Sequence, residues 1–139
     1  MNFKEELTHE LLAFFNGFSS WENSIVRSSE LTVSEAHAIE VLGEHGKMNM
    51  KALAQKLGVT TGTTTVTVDR LEKKHLARRE SISEDRRVNL ISLTDLGIKE
   101  FKEHHDFHLH LTEQMTSMLS DEEIRQFFDT LKKINDETF

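Results

Sequence analysis

Two consecutive stretches decide the fold: Leu53-Ala54-Gln55-Lys56-Leu57-Gly58-Val59-Thr60 and Thr61-Gly62-Thr63-Thr64-Thr65-Val66-Thr67. Just upstream, Asn49 can cap a short helix over residues 50–57, and Gly58 can adopt the left-handed conformation that ends it. Thr60 or Thr61 can then cap a second helix, which runs to about Lys74. Two helices joined by so short a turn predict a helix-turn-helix.

The second helix is rich in threonine, with six threonines in the eight residues 60–67. Threonine is a mediocre helix former, so helix propensity does not explain the enrichment. Helical spacing divides the helix into a core face and an outward face. The outward face carries Thr61, Thr65, Val66, Asp69 and Arg70. Such a face suits the major groove of DNA, where threonine can bond phosphates or touch a thymine methyl; a solvated threonine-rich surface is the alternative.

The residues that follow change from a helical to an alternating pattern. Residues 76–82 are typical of a strand, residues 83–87 of a charged turn, and residues 88–93 of a second strand. The two strands predict a hairpin with Arg86 and Arg87 at or beside its tip. Arginine side chains fit the narrow minor groove of DNA and the phosphates beside it.

The two ends of the chain predict long amphipathic helices. Apolar residues recur at spacings of three and four over residues 3–25 and again over residues 124–134. Thr94 can cap a further long helix, and Thr32 with Glu35 and Ser120 with Glu123 have the spacing of a capping box. The apolar stripes predict that these helices pack on a second subunit. The alternative is that they pack on the core of their own chain.

The charge of the 139-residue chain is unevenly distributed. Its net charge is −7, yet residues 47–90 hold ten basic and five acidic residues, a net of +5, against −12 elsewhere. This polarity would turn the middle of the chain toward a polyanion, although a basic solvated face without a partner is about equally compatible with it. The chain has no cysteine, which excludes disulfides and thiolate metal sites. It also lacks a secretory signal and a membrane-spanning apolar run, so we expect a cytoplasmic protein without a membrane partner.

This order of elements closely resembles the MarR family (multiple antibiotic resistance regulators). The resemblance rests on Asp85-x-Arg87, on Ile91-x-Leu93-Thr94-x-x-Gly97 and on the stretch 71–74, and its core covers residues 31–97. It implies a mainly α fold with a small β-hairpin, namely a winged helix-turn-helix with N- and C-terminal dimerisation helices. The chain would be one domain, 1–139, with a DNA-binding lobe at 31–94 and dimerisation helices at 1–30 and 95–139.

The resemblance also implies a sequence-specific DNA-binding transcription regulator. It would be a repressor that binds a palindromic operator in double-stranded DNA as a homodimer, with its affinity set by an unknown small-molecule, acyl or metal effector. Carried over by position, the DNA-binding residues are Thr60, Thr61, Thr65, Val66, Arg70, Arg86 and Arg87. The chain departs from the family at Val66, where many members have a basic residue, and at His75, where a glycine usually ends the recognition helix. We therefore expect a strained turn at His75.

Histidines are abundant, and four of the eight lie between residues 104 and 110. His104 and His108 are one helical turn apart, a workable pair of metal ligands, and the resemblance places His37 near them. A glutamate (Glu22, Glu40 or Glu103) could complete a site for zinc or another divalent ion. The alternatives are a solvated or packed histidine cluster and a pH-sensing role. Two subgroups look closest: the fatty-acid-synthesis repressors of Gram-positive bacteria and the zinc-responsive repressors.

The same histidines and Asp106 raise the alternative of a metal hydrolase. The sequence has no glycine-rich phosphate loop, nucleophile elbow or HExxH motif. A module that only dimerises would leave the threonine-rich helix and the two hairpin arginines unexplained. The sequence therefore predicts a regulator and not an enzyme.

Overall fold

The structure, a computed structural model, describes residues 2–81 and 89–139. These residues contain six helices and three strands. The helices are α1 (Phe3–Arg27), α2 (Val33–His45), α3 (Met50–Leu57), α4 (Thr61–Lys73), α5 (Asp95–Thr116) and α6 (Asp121–Thr138). The strands are β1 (Met48–Asn49), β2 (Ala77–Ser81) and β3 (Asn89–Leu93). Among the described residues, no helix is both long and apolar enough to cross a bilayer.

The helix-turn-helix formed by α3 and α4 confirms the prediction made from its local signals. The Asn49 side chain caps α3 by accepting a hydrogen bond from the backbone N–H of Ala52 at 2.8 Å. Gly58 ends α3 in the left-handed conformation, with φ 69° and ψ 29°. Thr60 caps α4 by accepting from the N–H of Thr63 at 3.2 Å. Each of these signals acts within three or four residues, which is why the sequence alone predicts them.

The sheet is antiparallel and has the order β1-β3-β2. The predicted strands at 76–82 and 88–93 correspond to β2 and β3, which are paired with Ala77 opposite Leu93. The predicted turn at 83–87 lies outside the described residues. Strand β1 was not predicted, because its two residues pair with β3 only in the tertiary structure, with Met48 opposite Ile91.

The core lies where α2, α3 and α4 meet the sheet. Its largest fully buried side chains include Ile39 from α2, Leu53 from α3, Leu71 from α4 and Ile91 from β3. Each of these elements therefore presents one face to a shared apolar cluster, and α4 is fixed by the face that it buries.

The turn after α4 is a Schellman motif built around His75. His75 has a φ of 61°, and its N–H bonds to the Glu72 carbonyl at 3.0 Å. The N–H of Leu76 bonds back to the Leu71 carbonyl at 2.9 Å, and both leucine side chains are buried in the core cluster. These two hydrogen bonds and the leucine pair define the motif, whose left-handed position is usually a glycine. His75 therefore adopts a left-handed conformation that is unfavourable for a residue with a side chain, and the strain expected there stays a prediction.

Helix α5 begins against this turn. The Thr94 hydroxyl donates to the His75 carbonyl at 2.6 Å and accepts from the Gly97 N–H at 3.1 Å, so Thr94 caps α5 as predicted. A Cβ at Gly97 would lie only 2.0 Å from the Leu76 carbonyl oxygen, so the helix passes where only glycine fits. The C-terminal turn of α4 and the first turn of α5 are thereby fixed to each other.

The chain forms two compact units, Met1–His104 and His105–Phe139, and α5 contributes residues to both. In the second unit α6 opens with the predicted capping box, in which the Ser120 N–H donates to the Glu123 carboxylate at 3.0 Å and the Glu123 N–H donates to the Ser120 hydroxyl at 3.2 Å. Hydrogen bonds from the backbone and from the side chain of Ser120 to the Glu123 carboxylate hold its pKa below the ordinary value. The predicted boundaries at residues 30/31 and 94/95 between dimerisation helices and DNA-binding lobe stay a prediction.

The strained turn yields a stability prediction. His75→Gly should raise the free energy of unfolding by about 1 kcal/mol, because glycine adopts positive φ without a Cβ clash. His75→Val should lower it, since a β-branched residue tolerates this conformation least. Urea denaturation of the three proteins measures both changes. Equal stability of the glycine variant and the wild type would contradict strain at this position.

Candidate nucleic-acid interface

Helix α4 has one buried face and one exposed face. Thr64, Val68 and Leu71 are fully buried, and Thr67 nearly so. The predicted outward residues Thr61, Val66 and Arg70 are exposed, and Thr65 is half-buried at the edge of the exposed face. The division of the helix into a core face and an outward face is therefore as predicted.

Three threonine hydroxyls of α4 donate to backbone carbonyls one turn earlier. Thr64 donates to the Thr60 carbonyl at 2.9 Å, Thr65 to the Thr61 carbonyl at 2.8 Å, and Thr67 to the Thr63 carbonyl at 3.2 Å. These bonds satisfy the polar atoms of the two buried threonines, which is why hydroxyls are tolerated on the core face. On the outward face the same bond turns the Thr65 hydroxyl toward the helix.

The N-terminus of α4 is exposed, and its electrostatic environment favours a bound anion. Thr60 and Thr61 are exposed, and the first turn contains no acidic residue. The unpaired N–H groups of a first helical turn carry a partial positive charge that favours phosphate. Thr60 and Thr61 are thus exposed at a helix end that favours anions, and their predicted contact with DNA stays a prediction.

The acidic side chains of α4 are held by an arginine from the sheet. Arg79 on β2 donates to Asp69 at 2.6 Å and pairs with Glu72 at 3.2 Å. This network neutralises negative charge on the outward side of α4, whereas Arg70 forms no ion pair with another described residue. The Arg70 side chain is exposed on the outward face, where a guanidinium can bind an external anion.

An open cleft of about 530 Å³ runs beside α4. It is lined by Asn49, Met50, Lys51, Thr61, Thr65, Arg79, Asn89 and Ile91. Sequence reasoning missed Lys51, Arg79 and Asn89 as candidates, and it assigned Asn49 only a capping role. The basic composition of residues 47–90 was the available signal, but it does not say which lysines and arginines share a surface.

A partly buried ion pair holds the C-terminal end of α4. Lys74 Nζ donates to the carboxylate of Glu35 at 2.6 Å and to the Glu30 carbonyl at 2.6 Å, and Glu35 is only 1% exposed. The capping box predicted at Thr32 and Glu35 is thus only half formed: Thr32 accepts from the Glu35 N–H at 3.2 Å, while the Glu35 side chain turns to Lys74. The ion pair joins residues that are 39 positions apart, so no local pattern reveals it.

The remaining predicted site residues are the two hairpin arginines and the metal-ligating histidines. Arg86 and Arg87, the predicted hairpin contacts, lie outside the described residues. His37 Nε2 lies 3.3 Å from Glu22 Oε2, and the ligand atoms of Glu40 and His104 lie within 4.8 Å of each other. His108 follows one turn after His104 along α5. A metal site at His37, His104 and His108 stays a prediction.

A helix-turn-helix with an exposed recognition helix beside a small antiparallel sheet defines a winged helix-turn-helix DNA-binding protein. The sequence profile of the MarR family matches residues 31–88. The transcriptional regulator TtmR of Methylorubrum extorquens is 30% identical over 132 residues, which cover 95% of this chain and 67% of that protein. MhqR of Bacillus subtilis is 29% identical over 112 residues, 81% of this chain and 77% of that protein.

Two solved structures are similar over nearly the whole chain. Streptococcus pneumoniae FabT in complex with DNA has a TM-score of 0.86 and 27% identity, over 96% of this chain and 95% of FabT. A MarR family protein from Bacillus stearothermophilus has a TM-score of 0.86 and 27% identity, over 99% and 97% of the two chains. The chain belongs to the MarR family. It is a DNA-binding transcription regulator and not an enzyme.

The partly buried ion pair yields a stability prediction. Glu35→Gln should lower the free energy of unfolding by about 2 kcal/mol, because it leaves the Lys74 ammonium without its counter-charge. The loss should stay below the 3–5 kcal/mol typical of a fully buried pair, since the Lys74 side chain is 35% exposed. Urea denaturation measures it. The control is Glu80→Gln, which breaks two more exposed pairs, with Lys47 and with Arg78, and should cost less than about 1 kcal/mol. A loss no larger than that of the control would contradict the role of the pair.

Proposed function

We propose that the chain is a repressor that binds a palindromic operator in double-stranded DNA as a homodimer. The observation that carries the proposal is the outward face of α4, which combines an exposed helix N-terminus with threonines, Val66 and an arginine that forms no ion pair among the described residues. A helix of this kind enters the major groove with its N-terminal residues toward the base edges, while backbone N–H groups and cations bind phosphates. The proposed DNA contacts are Thr60, Thr61, Thr65, Val66 and Arg70, with Arg86 and Arg87 as predicted hairpin contacts.

The apolar faces of α1 and α6 support a homodimer. On α1, Phe3 is 76% exposed and Phe15 is 64% exposed. On α6, Phe128 is 55% exposed, and none of the residues of this helix is buried. Exposed apolar surface on this scale marks an interaction surface, and a second copy of the chain is the simplest partner that covers it. Twofold symmetry of the protein would then match a palindromic site.

A relative supports the assignment as a repressor. The transcriptional repressor MdtR of Bacillus subtilis is 31% identical over 96 residues, 69% of this chain and 62% of that protein. We propose that this chain represses in the same manner in the cytoplasm, with its affinity for DNA set by a small-molecule, acyl or metal effector.

Selection of duplexes from a random pool tests the operator. We expect a palindromic consensus, bound by a particle of two chains, with an affinity that falls as salt rises because bound cations release counterions from DNA. Arg70→Ala should weaken binding about tenfold by removing one base or phosphate contact. The charge-matched control is Lys132→Ala on α6, which removes a cation paired with Asp136 and should leave the affinity unchanged. Failure to select any duplex, or binding by single chains without symmetry, would contradict the proposal.

A metal-responsive repressor is the second candidate, favoured by the surroundings of α2. His37 and Glu40 lie three residues apart, and therefore on one side of α2. Each meets a potential ligand from another helix: Glu22 of α1 at 3.3 Å from His37, and His104 of α5 within 4.8 Å of Glu40. Glu40 and His104 offer a carboxylate and an imidazole, which are ligand types that suit zinc or a similar divalent ion. Among the described residues His37 does not form one ligand cluster with these two, so His37 and His108 are the further ligands that the sequence predicts.

Calorimetric titration of zinc into chelator-treated protein tests this candidate. Wild type should bind zinc, and His37→Ala and His104→Ala should each weaken binding at least tenfold by removing a ligand. His110→Ala is the matched control, since His110 is an exposed histidine of the same helix and pairs with Glu113. Equal binding by all four proteins, or operator affinity that does not respond to a chelator, would contradict metal regulation.

A further inference from the structure

Helix α4 exposes one apolar side chain whose presence is not explained by packing in the core. Val66 is 50% exposed in the middle of the outward face and takes no part in the core. Thr65 precedes it at the edge of the same face. Neither side chain adds charge to a surface that would bind a polyanion, so their role at the interface must rest on methyl groups or, at Thr65, on the hydroxyl.

The hydroxyl of Thr65 is already engaged. It donates its single proton to the Thr61 carbonyl at 2.8 Å, so it can accept a further hydrogen bond but cannot donate one without breaking this contact. Guanine presents only acceptors, N7 and O6, to the major groove, and therefore offers Thr65 no partner. With the hydroxyl turned toward the helix backbone, the γ-methyl is the other group that Thr65 can present.

We propose that Thr65 and Val66 read the 5-methyl groups of thymine in the operator. Thymine alone among the four bases carries a methyl group at the edge of the major groove, and an apolar side chain recognises it by excluding water. Arg70, one helical turn beyond Val66, supplies the donor for guanine or phosphate. This inference rests on the proposed binding of an operator and names which bases α4 selects.

Replacement of thymidine by deoxyuridine isolates the methyl group, because the two bases pair identically. In the duplex selected by the wild-type protein, each thymidine is replaced by deoxyuridine in both half-sites, one position at a time. The protein variants Thr65→Ser and Val66→Ala remove methyl groups from the other side of the contact, and Thr65→Ser keeps the hydroxyl. Fluorescence anisotropy gives the dissociation constant of each protein and duplex pair.

We expect deoxyuridine to weaken wild-type binding about fourfold per contacted methyl at one or two positions of each half-site. At those positions Thr65→Ser or Val66→Ala should remove the sensitivity to deoxyuridine, since the contact is already lost. Thr63→Ser is the matched control: Thr63 is exposed, lies about 160° around the helix from Thr65, and should leave the sensitivity unchanged.

The outcomes separate this inference from the operator proposal. Equal affinity for thymidine and deoxyuridine at every position would overturn methyl reading while leaving operator binding intact. A loss on deoxyuridine that persists in both variants would overturn the assignment to Thr65 and Val66. If no duplex is selected at all, the operator proposal fails, and this inference fails with it.

Discussion

The burial of one face of α4 against α2, α3 and the sheet is the constraint on which the interface depends. Val68 and Leu71 pack in the same apolar cluster as Ile39, Leu53 and Ile91. Because a helical face is set by spacing, the side chains buried here determine which residues point outward. Thr64 can occupy the core face only because its hydroxyl bonds to the Thr60 carbonyl at 2.9 Å. The threonine enrichment thus serves the packed face and the exposed face in different ways.

Two contacts at the C-terminal end of α4 complete this placement. The Glu35–Lys74 pair joins that end of α4 to the start of α2, and the Schellman turn at His75 is fixed by the Thr94 hydroxyl at 2.6 Å. The close approach of Gly97 to Leu76 then brings α5 onto the same turn. A displacement of α5 relative to α4 would have to break or shift these contacts. An effector that favours one placement of α5 could therefore change how α4 meets DNA, since it needs only a difference in affinity between two arrangements.

The parts of this structure that local signals determine were predictable from the sequence. The Asn49 cap, the left-handed Gly58 and the Thr60 cap each act within a single turn, and helical spacing is sufficient to give the outward face of α4. The strand β1, the Glu35–Lys74 pair and the contacts of Arg79 with Asp69 and Glu72 were not predictable in this way. They join segments that meet only after folding, and the capping pattern at Thr32 even suggested a different partner for Glu35. The cleft residues Lys51 and Asn89 were missed for the same reason.

The central claim, that the outward face of α4 lies in the major groove of the operator, is open to a direct measurement. The chain has no cysteine, so Thr63→Cys, at an exposed residue of α4 outside the proposed contacts, introduces a single thiol to which an iron chelate that cleaves DNA can be attached. Hydroxyl radicals from the chelate cut the strands nearest to residue 63. We expect cuts at two symmetry-related positions within the selected operator. Met118→Cys, at a residue that is 83% exposed in the turn before α6, should not produce this pattern. Cuts that are the same for both variants, or that spread evenly along the duplex, would contradict the account.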